Sequence, residues 1–233
     1  VQHKPLLVFI PGTLCTSEMF IPILAVLPFE TKIINFDKHD NLADMAAEVM
    51  RVVGTRPFIP VGFSMGGMVA FELVRMNLTH LTGMVLLNSN CHADLLERKI
   101  SRDTHLKFAQ TQGIEKLIQQ EYLSVYFCNP HCHEGERVTT MAKQLGVKTF
   151  EAQLKVLAER PDSFEVLTHF NHPLLIIGAL NDQPCPPEHQ QMMAKAAPQS
   201  ELHLLPDCGH FAPLQAPVDV ANLIKQWVNK HYA

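Results

Sequence analysis

The apolar run Phe58-Ile59-Pro60-Val61 leads directly into Gly62-Phe63-Ser64-Met65-Gly66-Gly67, a Gly-x-Ser-x-Gly sequence placed where a buried strand must turn sharply into a helix. Glycines on both sides of the serine remove Cβ atoms that would clash in so tight a turn, and a serine held there has its hydroxyl exposed above the sheet edge. Val69 to Met76 continues with helical periodicity, so strand, turn and helix follow in the order the motif requires. The five-residue pattern alone is common by chance. Its context is what makes Ser64 a candidate nucleophile rather than part of a glycine-rich packing turn.

Short β-rich apolar runs recur along the chain at 6–10, 32–36, 58–63, 82–88, 173–178 and 201–205, with helical stretches between them. This alternation is the pattern of an α/β fold, a mostly parallel open sheet with helices on both faces. Continuous apolarity within the runs, rather than alternation, indicates that both faces are covered. Helices are expected at 41–53, 187–197 and 218–230. The rhythm breaks between Cys91 and Thr168, where only helical stretches occur, such as 114–126, 136–144 and 150–159. The expected organisation is therefore a core formed by residues 1–90 and 169–233, with residues 91–168 inserted as a helical cap over the sheet edge.

At 233 residues the chain can bury one full core. A net charge of −4 without any dense Lys/Arg stripe argues against nucleic acid or an anionic membrane surface as partner. No apolar stretch approaches membrane-spanning length and the first residues carry no signal-peptide pattern, so the expected location is cytoplasmic. Cys15, Cys91, Cys128, Cys132, Cys185 and Cys208 are scattered through a chain too large to need stapling, which fits reduced thiols. The cluster Cys128-Asn129-Pro130-His131-Cys132-His133-Glu134 has ligand-type side chains. Adjacent residues cannot all converge on one tetrahedral ion, so a polar loop between helices is expected there and no metal site.

A serine hydroxyl needs a base within hydrogen-bond reach and a third group to orient that base. His210, in Pro206-Asp207-Cys208-Gly209-His210-Phe211, follows the last strand and falls at the same sheet edge as Ser64; Gly209 is expected to supply the tight turn that projects it. Asp182, in Gly178-Ala179-Leu180-Asn181-Asp182, follows the preceding strand at that edge. Asp207 is the rival acid, but a residue three positions from the histidine more naturally makes a local turn contact. An open parallel sheet gathers its functional groups outside the carboxyl ends of its strands, which favours Asp182.

With Gly62-Phe63-Ser64-Met65-Gly66-Gly67, Asp182 and Gly209-His210 in the order Ser, Asp, His, the whole chain resembles the α/β-hydrolase superfamily. It is most similar there to small bacterial carboxylesterases, enol-lactonases and acyl-carrier-protein methyl-ester hydrolases. The resemblance implies an acyl-enzyme mechanism, no cofactor, and an oxyanion hole built from the backbone N–H of Met65 and that of Thr13 or Leu14. Pro11-Gly12 stands where the family usually has His-Gly, so the anchoring of that loop departs from the usual one. A serine at position 64 also sets the chain apart from relatives with a carboxylate or cysteine nucleophile.

The expected function is hydrolysis of small or medium carboxylic esters, thioesters or lactones, with a small molecule as partner. Phe108, Tyr122, Tyr126, Phe127, Met141 and Phe150 are candidates to line an apolar acyl pocket, against the alternative that each packs cap helix on cap helix. A non-hydrolytic lyase or synthase, or a ligand receptor with slow turnover, stands as the alternative function on the same fold.

Overall fold

The computed structural model describes residues 4–232. Six strands, β1 (Leu6–Ile10), β2 (Thr31–Ile33), β3 (Phe58–Phe63), β4 (Met84–Leu87), β5 (Leu174–Ala179) and β6 (Ser200–Leu205), form one parallel sheet in the order β2-β1-β3-β4-β5-β6. Every residue of β1, β3, β4 and β5 is buried, as apolar runs are when helices cover both faces of a sheet. Register is fixed by pairs such as Phe9 with Val61, Val61 with Val85, and Leu86 with Ile176. The second strand is shorter than its apolar run: after Ile33 only the Ile34 N–H still donates to Phe9 O, at 3.0 Å.

The helices are α1 (Ile21–Leu24), α2 (Leu42–Val53), α3 (Met65–Arg75), α4 (Leu96–Gln112), α5 (Ile114–Leu117), α6 (Leu123–Tyr126), α7 (His133–Glu159), α8 (Phe164–Thr168), α9 (Pro187–Ala196), α10 (Ala212–Gln215) and α11 (Pro217–His231). Asn41 caps α2, its side chain accepting the Asp44 N–H at 2.8 Å. α3 packs on β3 and beside α2, whereas α11 packs beside α1 and β5. Between β4 and β5 the chain makes only helices, α4 to α8, with a π-helical turn at Ile118–Tyr122. α7 is broken at Gly146, whose φ of 76° lies between the two stretches expected from the sequence. α4 was not legible as a separate element because it is mostly polar and buries only Ala109.

The two ends of this helical segment are tied side by side. Ser163 N–H donates to Cys91 O at 2.7 Å and Arg160 Nε to His92 O at 2.8 Å. The fully buried carboxylate of Asp94 accepts from Arg102 Nε and Nη2 at 2.8 and 2.9 Å and from Arg160 Nη1 at 2.7 Å. Burial alone would push the Asp94 carboxyl up, but the two guanidiniums outweigh it and hold it below the usual carboxylate range. No helix among the described residues is long and apolar enough to cross a membrane.

Candidate active site

β2 and β3 leave β1 on opposite sides, so the loops after β1 and β3 lie at the point where the strand order reverses. From residue 58 to 71 the chain is buried throughout except at Ser64. Ser64 joins β3 to α3 with φ 51° and ψ −114°, a left-handed conformation that a side-chain-bearing residue adopts only where its surroundings enforce it. Ser64 N–H donates to Leu87 O at 3.0 Å, and Ser64 O accepts from Gly67 N–H at 3.0 Å and Ser89 Oγ at 2.8 Å. A Cβ on Gly62 would run into the Gly66 carbonyl, and one on Gly66 into the carbonyl of Ile10. The glycines are thus required by the close approach of helix to strand.

Ser64 Oγ lies 3.0 Å from His210 Nε2, and His210 Nδ1 lies 2.9 Å from Asp182 Oδ1. A carboxylate can only accept, so Nδ1 carries the proton and Nε2 is left to accept the serine hydroxyl. Asp182 follows β5 and His210 follows the neighbouring β6, which is why residues 28 apart in sequence meet. The Asp182 side chain is fully buried; its Oδ1 also accepts the Cys185 N–H and its Oδ2 the Asn88 amide, both at 2.9 Å. Asp207 is exposed and makes no bond to His210 among the described residues. The His210 ring is walled by Phe63 at 5.2 Å and stacked on Tyr126 at 5.5 Å, and the His210 backbone N–H donates to Tyr126 O at 2.9 Å. Gly209 does not have the positive φ of a tight turn. It is glycine because a Cβ there would meet the same Tyr126 carbonyl.

Of the amides considered for the oxyanion hole, that of Leu14 is engaged. It donates to Gln153 Oε1 at 2.7 Å, in a buried bond that holds Leu14 at φ 55°. Gln153 Nε2 in turn donates to Phe36 O at 3.2 Å. The Thr13 N–H has no such partner among the described residues, and the Met65 N–H opens α3, where first-turn amides lack intrahelical acceptors.

A cavity of about 360 Å³ opens onto Ser64, His210 and Thr13. Tyr122, Tyr126 and Phe150 line it, as expected from the sequence; Phe108, Phe127 and Met141 do not. Phe127 is buried and stacked on Phe211 at 5.5 Å, Met141 is buried with its sulfur 3.5 Å from Thr16 N, and Phe108 packs on the core. These three are taken up by packing away from the cavity, Phe127 and Met141 against residues outside the helical segment. Burial pushes the Tyr122 hydroxyl up to about 12 and that of Tyr126 above its usual range, so both are neutral hydrogen-bonding groups. The lining residues not anticipated are chiefly Arg98, Ser101, Arg102, His105 and Arg160.

The Cys128–Glu134 stretch forms no converging ligand set among the described residues; the side chains that do converge are Asp182, Cys185 and His210. Burial, and next the Asp182 carboxylate, push the Cys185 thiol well up, so it is a neutral neighbour of the Ser-His-Asp arrangement.

Residues 7–223 match the model of the alpha/beta hydrolase family. Among curated proteins the chain is 20% identical to a putative carbamate hydrolase, RutD, of Agrobacterium fabrum, over 92% of this chain and 89% of that protein. Among solved structures it is similar to a thermophilic esterase from Thermogutta terrifontis in its malate-bound form, with a TM-score of 0.89 and 24% identity over 99% of this chain and 92% of that one. MenH from S. aureus superposes with a TM-score of 0.87 at 18% identity, over 100% of this chain and 96% of that one. At these identities the structural likeness speaks for the fold, and the family match spans the sheet and the helices around it. The chain belongs to the alpha/beta hydrolase family.

Proposed function

We propose that the protein is a serine hydrolase of small or medium carboxylic esters, thioesters or lactones, with Ser64 as nucleophile, His210 as general base and acid, and Asp182 as the acid that orients it. The carrying observation is the hydrogen-bonded line from Ser64 Oγ through both His210 nitrogens to a buried Asp182, at 3.0 and 2.9 Å, facing a cavity. Neutral His210 takes the Ser64 proton as the oxygen attacks the carbonyl, and the resulting imidazolium is stabilised by Asp182. The oxyanion lies against the N–H groups of Met65 and Thr13; one such donor is typically worth about 3 kcal/mol of transition-state stabilisation. His210 then protonates the leaving group, and water repeats the sequence on the acyl-enzyme. Residues 91–168 serve as a cap that closes the cavity over this chemistry.

The reading is tested by a fluorophosphonate probe together with a panel of p-nitrophenyl acyl esters, methyl esters and lactones. The probe is expected to label the parent protein at Ser64, and Ser64→Ala to lose both labelling and multiple turnover, by on the order of 10⁴-fold or more. Undiminished labelling of Ser64→Ala would move the nucleophile elsewhere. Labelling without multiple turnover would favour a receptor.

A further inference from the structure

Helices that roof an acyl pocket ordinarily turn an apolar stripe inward. α4 does the opposite: Arg98, Ser101, Arg102 and His105, spaced i, i+3, i+4 and i+7, occupy one helical face and all line the cavity that holds Ser64. Arg160, from the end of α7, joins them on the wall, and no Asp or Glu is among the lining residues. Behind that wall Asp94 is bound to Arg102 and Arg160, and Asp182 lies behind His210 and Cys185. Three guanidiniums thus stand on the wall against two buried carboxylates, Asp94 and Asp182, and neither carboxylate is paired with Arg98. Arg98 is half-buried and has no carboxylate partner among the described residues; its side chain donates to Pro184 O at 3.3 Å. A cation beside a low-dielectric cavity attracts a complementary anion far more strongly than one in open solvent.

Resting on the hydrolase reading above, we propose that the cavity selects esters that carry a second, anionic group, a carboxylate, held by Arg98 with Arg102 on the α4 stripe. The planar guanidinium fork matches a carboxylate through two parallel N–H···O bonds, the geometry that Arg102 already makes with Asp94. The apolar residues nearer Ser64 then contact the chain between the carboxylate and the scissile ester, and the arginine stripe gives the pocket a polar far wall.

Two matched pairs of esters test this. Monomethyl adipate against methyl hexanoate places the carboxylate on the acyl side, and acetoxyvalerate against pentyl acetate places it on the alcohol side. In at least one pair kcat/KM is expected to favour the charged ester by about tenfold or more, the worth of one charge-assisted hydrogen-bonded contact. Arg98→Gln, shown by its melting temperature to be folded, should bring that ratio towards unity. A ratio near or below one in both pairs, or a preference that survives Arg98→Gln unchanged, overturns the proposal. If none of these esters is turned over, the hydrolase reading is decided by the fluorophosphonate probe and the wider panel, and adipate alone reads the anion site. Adipate should then raise the melting temperature of the wild type more than that of Arg98→Gln, with a neutral diol of equal length as control; no such difference overturns the anion site as well.

Discussion

Asp182 and Asp207 stand after adjacent strands, but only the first has a buried side chain aimed at His210. Asn at the orienting position keeps the shape, favours the wrong tautomer of the histidine and cannot stabilise the imidazolium, a defect of roughly 10⁴-fold in turnover where a serine protease has been so altered. Asp182→Asn is therefore expected to lose turnover on that scale with KM little changed. Asp207→Asn should lose far less, because its side chain is solvated. Steady-state kinetics on a small activated ester compares the two directly, and a larger loss in Asp207→Asn would place the acid in the histidine loop itself. The same scale explains Gly209, where the adjacent Tyr126 carbonyl excludes any side chain.

At the scale of elements, α7 reaches down to the loop after β1 through Met141 and, with the shorter bond, through Gln153. Gln153 accepts the Leu14 N–H and donates to Phe36 O, so a residue of the helical segment fixes the loop that presents the Thr13 amide. Gln153→Leu removes both bonds and leaves a buried amide unsatisfied, at a cost of about 1–3 kcal/mol. Because the loop would then be free to shift the Thr13 N–H by a fraction of its working distance from a developing oxyanion, kcat is expected to fall about tenfold while KM stays near its parent value. The check is a kcat and KM measurement beside thermal melts: lowered stability with unchanged kcat would make the clamp purely structural.

For the whole molecule, Asp94 ties the beginning of the helical segment to its end, through Arg102 of α4 and Arg160 after α7. Its carboxyl is held below the usual range, so its contribution is fully present above the unfolded-state value of about 4 and is lost as pH falls through the lower folded value. Asp94→Asn should therefore destabilise the protein by about 3 kcal/mol or more at neutral pH, since it leaves Arg160 buried without its partner. The gap to the parent should close as the pH is lowered below about 4. Urea unfolding at neutral and acidic pH reads this, and a pH-independent difference would mean that the two guanidiniums find other partners.

The strands were legible because a buried parallel strand is a local pattern of consecutive apolar residues, and Leu6–Ile10 or Leu174–Ala179 carries that pattern alone. Ser64 was legible because glycines at 62 and 66 are demanded by a contact only a few residues long in sequence. Asp182 and His210 followed from being just past strand ends, since parallel strands deliver such residues to one edge. The choice between Thr13 and Leu14 was not local. It depends on Gln153, 139 residues from Leu14, and no pattern near residue 14 encodes it. Nor could periodicity say that Tyr122 and Phe150 face the cavity while Phe108 and Met141 do not, because the rotation of a helix that is apolar on more than one side is fixed by what packs against it. Local pattern thus carries the sheet and the positions of Ser64, Asp182 and His210 just past its strand ends, whereas the free amide, the aromatics that reach the cavity and the three arginines on its wall are properties of surfaces that meet only when distant segments pack.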